Sequence, residues 1–102
     1  MVDSLESRYE KNPNIVHREI AAERILVPIR KQTADMAAIY VLNETGARIW
    51  ELVDGQRSLA EIRDALVQEY DVEPQIATDD LVGVVQDLQE LGALRAVEHG
   101  VS

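Results

Sequence analysis

The chain reads as an α+β fold in which an N-terminal three-stranded antiparallel sheet packs on three helices. Three observations carry that reading. Short strand-length runs rich in Ile, Val and Ala fall between residues 14 and 42; apolar stripes at helical spacing begin after residue 43; and each of the three helices has a recognisable start and stop signal. At 102 residues the chain has room for one modest hydrophobic core. It divides into a flexible N-terminal arm over 1–13, a folded domain over 14–97 and a C-terminal tail over 98–102.

The arm ends at the turn signal Asn12-Pro13-Asn14 and shows no apolar periodicity. Two strands follow, over 14–19 and 24–30, with Ala21-Ala22-Glu23 between them. Pro28 sits inside the second and cannot donate to a ladder, so pairing there is at an edge, at a bulge or finished. The polar segment KQTADM leads to a third strand over 37–42, which is apolar on both pleat faces and therefore predicts cover on both. That cover would come from the arm or from a second copy.

Asn43 is a one-residue joint and N-cap, followed by Glu44 at the positive end of a helix that Asp54-Gly55 stops after Val53. Ile49, Leu52 and Val53, with Trp50 beside them, form its apolar stripe. A capping box, Ser58-Leu59-Ala60-Glu61, opens the second helix, which carries Leu59, Ile62, Ala65 and Leu66 on one face and ends near Tyr70-Asp71. Pro74 sits in the first turn of the third helix; its stripe is Leu81, Val84, Val85, Leu88 and Leu91, and Gly92 supplies the left-handed cap. Residues 93–97 suit a short closing strand. Strands followed by three short helices suggest a winged-helix-like arrangement with its sheet placed first.

Several function classes are excluded by what the chain contains. There is no cysteine, the histidines are His17 and His99 far apart, and neither a glycine-rich phosphate loop nor a GxSxG elbow is present, so no enzyme, metal site or cofactor is expected. Asp79 and Asp80 point in different directions on a helix and read as first-turn acids favoured by the dipole. No apolar run approaches the ~20 residues that cross a bilayer, and the polar N-terminus lacks a signal-peptide h-region, so the cytoplasm is the default.

The net charge of -9 lies entirely in residues 44–102, which hold thirteen acids and four bases. The third helix would be the recognition helix of a DNA-binding winged helix, yet residues 74–92 contain no Lys or Arg and four acids, Asp79, Asp80, Asp87 and Glu90. Phosphate neutralisation is impossible with that face, which excludes nucleic acid. What remains is a partner for a strand edge, an extended peptide or a second copy of the chain: the third strand comes last in the meander and carries no Lys or Pro to blunt an unpaired edge. Gly83, inside the third helix, either admits an approaching backbone or lets the first and third helices pack together. Trp50 and Tyr40 read as core.

From LNETGARIWELVDGQRSLAEIRDALVQEYDV the chain resembles the PqqD family, small proteins of pyrroloquinoline quinone (PQQ) biosynthesis and their relatives. The resemblance rests on Leu42-Asn43 with Gly46, Ile49-Trp50-Leu52 with Asp54-Gly55, the capped helix from Ser58, Tyr70-Asp71-Val72 and the close at Leu91-Gly92. It covers about residues 12–97. It implies a peptide chaperone, a recognition element for ribosomally made and post-translationally modified (RiPP) peptides. Such an element binds the leader of a precursor and presents it to a modifying enzyme, often a radical S-adenosylmethionine protein. In the family's mode the leader adds to the third strand and lies against the third helix, which is β-augmentation. Carried over, the ladder uses Met36, Ala37, Ala38, Ile39, Tyr40 and Val41, and the opposing wall uses Asp79, Asp80, Gly83, Val84 and Asp87. The acids favour a leader with Lys or Arg at matching positions. Asn43, Gly46, Trp50, Asp54 and Gly55 hold the fold. The connection from Pro28 to Met36 is longer than the short Gly-containing link of the family. The alternative reading is a self-associating structural or regulatory winged-helix domain, a homodimer whose second copy satisfies the same edge.

Overall fold

A computed structural model describes residues 5–28 and 40–97. Eight elements follow one another: β1 (Tyr9–Lys11), β2 (Ile15–Ile20), β3 (Glu23–Pro28), β4 (Tyr40–Leu42), α1 (Glu44–Leu52), α2 (Leu59–Tyr70), α3 (Pro74–Leu91) and β5 (Leu94–Ala96). The expected meander is present as an antiparallel sheet in the order β2-β3-β4. Its first two strands each sit one residue from the expected start. The third strand is described from Tyr40, and residues 37–39 lie outside the described residues.

Register decides the two sheet faces. Leu26 stands opposite Tyr40 and His17, and Arg24 opposite Leu42, so Ile15, His17, Leu26, Tyr40 and Leu42 share the inner face. Leu26 is wholly buried there. Ile25 stands opposite Val41 on the outer face. Pro28, opposite Ile15, is the last residue of its ladder, so the missing donor falls where β2–β3 pairing finishes.

The helices form because their apolar spacing and their end signals agree. Asn43 stands between β4 and α1 with extended backbone, and its Oδ1 accepts from the Gly46 N–H at 2.7 Å. Gly46 is buried against that joint: a Cβ there would lie 3.2 Å from Asn43 Oδ1 and 3.4 Å from a Leu42 methyl carbon. In α2 the capping box is complete, with Ser58 Oγ accepting from Glu61 N–H and the Glu61 carboxylate accepting from Ser58 N–H. Asp71 ends α2 and Gly92 ends α3, both in the left-handed region. The stripes meet in one core that includes Ile49, Trp50, Leu59, Ile62, Leu66, Leu81, Val85 and Leu88.

The arm differs from expectation. Its residues 9–11 form β1, which pairs antiparallel with β5, and Tyr9 is buried. The cause lies at the start of α2, where helical N–H groups lack intrahelical acceptors. Leu59 N–H donates to Ser7 O at 3.0 Å and Ala60 N–H to Leu5 O at 2.8 Å, which completes what Ser58 begins. Asn12 fixes the other end, with its N–H on Ala93 O and its Nδ2 on Gly92 O. Lys11 lies over the Trp50 ring, 5.2 Å from its centroid, and burial lowers its pKa.

Candidate functional site

Strand β4 has β3 on one side, and among the described residues no strand pairs with its other edge. Its three residues alternate: Leu42 is buried, Tyr40 is half-buried against the core, and Val41 turns outward at 58% exposure. Within a single chain, then, the arm does not supply the expected cover of the second pleat face at Val41. Pleat alternation sends it to the face opposite the helices, and the arm is engaged instead at α2 and β5.

Tyr40 ties this edge to α3. Its hydroxyl donates to Asp87 Oδ2 at 3.1 Å. Burial first, and then the Asp87 carboxylate, push the Tyr40 phenol above its ordinary pKa, so the donor proton is retained at neutral pH. Strand edge and helix thus form two walls joined by a tyrosine–carboxylate bond.

At ~3.6 residues per turn, Ile76, Asp80, Gly83 and Asp87 fall on one stripe of α3 roughly 16 Å long. All four are exposed, Ile76 at 51%. Asp79 lies on the flank of this stripe, where its carboxylate accepts from Gln75 Nε2 at 3.0 Å. Val84 packs partly against the core. Asp79 and Asp80 are not first-turn acids: α3 begins at Pro74, and its first turn holds no acidic residue. The helix dipole fades within that turn, so it does not account for them.

The helix-packing reading of Gly83 finds no support among the described residues. Among the described residues a Cβ built on it meets no atom within 4 Å, so packing of α1 on α3 does not require glycine here. An exposed glycine inside a helix costs roughly 0.5–1 kcal/mol relative to alanine. Nothing inside the described fold offsets that cost.

The sites expected from sequence thus divide into three groups. Tyr40 and Asp87 are in contact, and Asp80 and Gly83 share the Asp87 stripe. Asp79 and Val84 are turned aside, and Val41 lies on the outer face of the edge strand. Met36, Ala37, Ala38 and Ile39 lie outside the described residues. Two features escaped sequence reasoning. Ile76 extends the stripe, and a shallow cleft of about 630 Å³ beside Val41, Leu42 and Asn43 is rimmed by Glu19, Glu23 and Glu44. Helical spacing from Asp87 is the signal for Ile76; the cleft depends on hairpin register and has none. On the inner side, His17 Nε2 and Gln89 Oε1 are buried without a partner among the described residues. Among the same residues, no group of His, Cys, Asp or Glu is arranged to hold a metal ion, and no helix is long and apolar enough to cross a membrane.

The family model for coenzyme PQQ synthesis protein D (PqqD) matches residues 23–94. Among solved structures, the chain is similar to TbiB1 in complex with the TbiA(β) leader peptide, with TM-score 0.66 and 25% identity over 91% of this chain and 99% of that one. It is also similar in fold to the PqqD truncation of Methylobacterium extorquens PqqCD, a stand-alone RiPP recognition element, with TM-score 0.71 and 21% identity over 92% of this chain and 95% of that one. No curated protein matches the chain.

Proposed function

The chain belongs to the PqqD family, and from that premise we propose that it is a non-catalytic recognition element that captures the leader of a ribosomally made precursor peptide and presents it to a separate modifying enzyme of the radical S-adenosylmethionine type. The leader adds as a strand to the edge of β4 away from β3, where its backbone takes up N–H and C=O groups that no other described strand pairs. Its other side lies along α3. Met36 to Val41 supply the ladder, and Asp80, Gly83 and Asp87 supply the wall, with Asp79 on its flank and Val84 packed partly against the core. The role needs no cofactor, since binding and positioning are its whole chemistry. The product is PQQ or another modified peptide.

The observation that carries this reading is the juxtaposition of a strand edge unpaired among the described residues and an acidic helix stripe, joined at Tyr40 and Asp87. The likeness to TbiB1, solved with a leader peptide and matched over 91% of this chain, supports it. The test is hydrogen exchange on the full chain, with and without synthetic leaders of precursors encoded beside its gene. Saturable binding with slowed exchange at Tyr40 to Leu42 is the expected result. A dimer that persists in excess leader, or the absence of saturable binding to every such leader, overturns it.

A further inference from the structure

Resting on the strand-addition reading, we propose that Asp87 and Gly83 decide which leaders are accepted: a Lys or Arg of the leader seats on the Asp87 carboxylate, and the leader backbone passes over Gly83 one turn away. An apolar leader side chain then reaches Ile76 at the far end of the stripe. The substrate class is an extended peptide carrying one cation and one large apolar residue about four to six positions apart, since roughly 16 Å of helix matches about five residues at ~3.3 Å each.

Three independent observations converge on this. The Tyr40 hydroxyl occupies Asp87 Oδ2, and among the described residues no bond engages Oδ1, so a carboxylate held beside the edge strand keeps acceptor capacity. Residues 74–92 carry four acids and no base, so nothing on α3 itself neutralises Asp87, and an incoming cation is the complementary charge. Gly83 is exposed in mid-helix, and among the described residues there is open space where its Cβ would be. An outside backbone in close approach accounts for a side chain being absent there, whereas helix packing does not.

The Tyr40 bond distinguishes Asp87 from its neighbours. Asp79 is engaged with Gln75 on its own helix, and no hydrogen bond holds Asp80 against the strand among the described residues. Asp87 is the acid already fixed at the strand edge, so its position, and not the general negative charge of the helix, selects the leader.

The test is selection of random 15-residue peptides, displayed on phage, against the immobilised full chain and three variants. Wild type should enrich peptides with Lys or Arg at one aligned position and a large apolar residue about four to six away. Asp87→Lys should switch the charged position to Asp or Glu and keep the apolar one, while Asp64→Lys on α2, the same charge change elsewhere, should leave the enriched set unchanged. Gly83→Ala should raise the melting temperature by about 3–5 °C and weaken the wild-type consensus peptide about tenfold, the loss expected when a methyl is forced into a close contact. Peptides enriched without a basic preference, or with the same preference after Asp87→Lys, overturn the role of Asp87. Unchanged affinity in Gly83→Ala overturns the crossing point. No enrichment by wild type overturns the strand-addition reading itself.

Discussion

The helices and the sheet come from the same short chain, yet they meet their local requirements to different degrees. In α2 the first N–H groups all find acceptors, from Ser58, Ser7 and Leu5, and the chain leaves the helix through a left-handed Asp71. Around β2, β3 and β4 local needs are left unmet. Ile20 and Val41 are more than half exposed, one edge of β4 has no partner among the described residues, and the two-residue β2–β3 turn holds Ala21 and Ala22 at φ 51° and 70°. Asn and Gly suit those positions, and alanine is strained in both. Packing that is locally complete makes a scaffold, and packing left incomplete on one side makes a place for another chain.

The contrast between the two regions is greatest in the helical core. Leu81→Ala removes a wholly buried side chain and should cost about 2–5 kcal/mol in urea unfolding; a loss comparable to that of an exposed site would mean that the core is looser than its burial shows. The turn should respond in the opposite direction. Replacing Ala21 by Asn and Ala22 by Gly should stabilise the protein by about 1–2 kcal/mol through relief of two left-handed alanines, and an unchanged melting temperature would break the contrast between strained turn and satisfied helix. Ser58→Ala should cost about 1 kcal/mol by removing the acceptor for Glu61 N–H. The pair Ser58→Ala with Glu61→Gln should lose less than the sum of the single changes, because the two side chains serve one motif.

The smallest effect concerns pH. Hydrogen bonding from Arg48 lowers the Glu69 pKa below its ordinary value of 4.5, and backbone N–H groups of Arg57 and Gln56 lower that of Asp54 below 3.8. A depressed carboxylate contributes stability above its unfolded pKa and loses it as pH falls through the folded one. Unfolding free energy should therefore decline as pH drops below about 4.5, and Glu69→Gln should shallow that decline. Both groups are solvent-exposed, so the change is small beside that of Leu81→Ala. A steep acid transition that survives in Glu69→Gln would place its cause elsewhere.

Much of the fold is legible in the residues alone. Asn43, Ser58 with Glu61, Pro74 and Gly92 each act within four residues, so their sequence signals suffice for four helix boundaries, and the meander follows from its apolar runs. Tyr40 on the last strand of the meander and Asp87 on the third helix are legible as positions. Their contact is not, because it joins positions 47 residues apart. The docking of residues 5–12 is equally hidden: its partners are backbone groups of α2 and β5, which leave no mark on the composition of the arm. Asp79 and Asp80 mislead because adjacency to a helix start resembles membership of its first turn.

By itself, then, the sequence determined the order and type of β2 to β4 and of the three helices, the helix boundaries that carry caps, and the acidity of α3, since caps, turns and periodicity are short-range effects of neighbouring side chains. Tertiary structure decided which acid reaches the strand, that Gly83 faces open space instead of α1, and that Val41 points away from the helices. Those outcomes depend on how the sheet is set against α3, an angle fixed jointly by the Asn43 joint and the shared core.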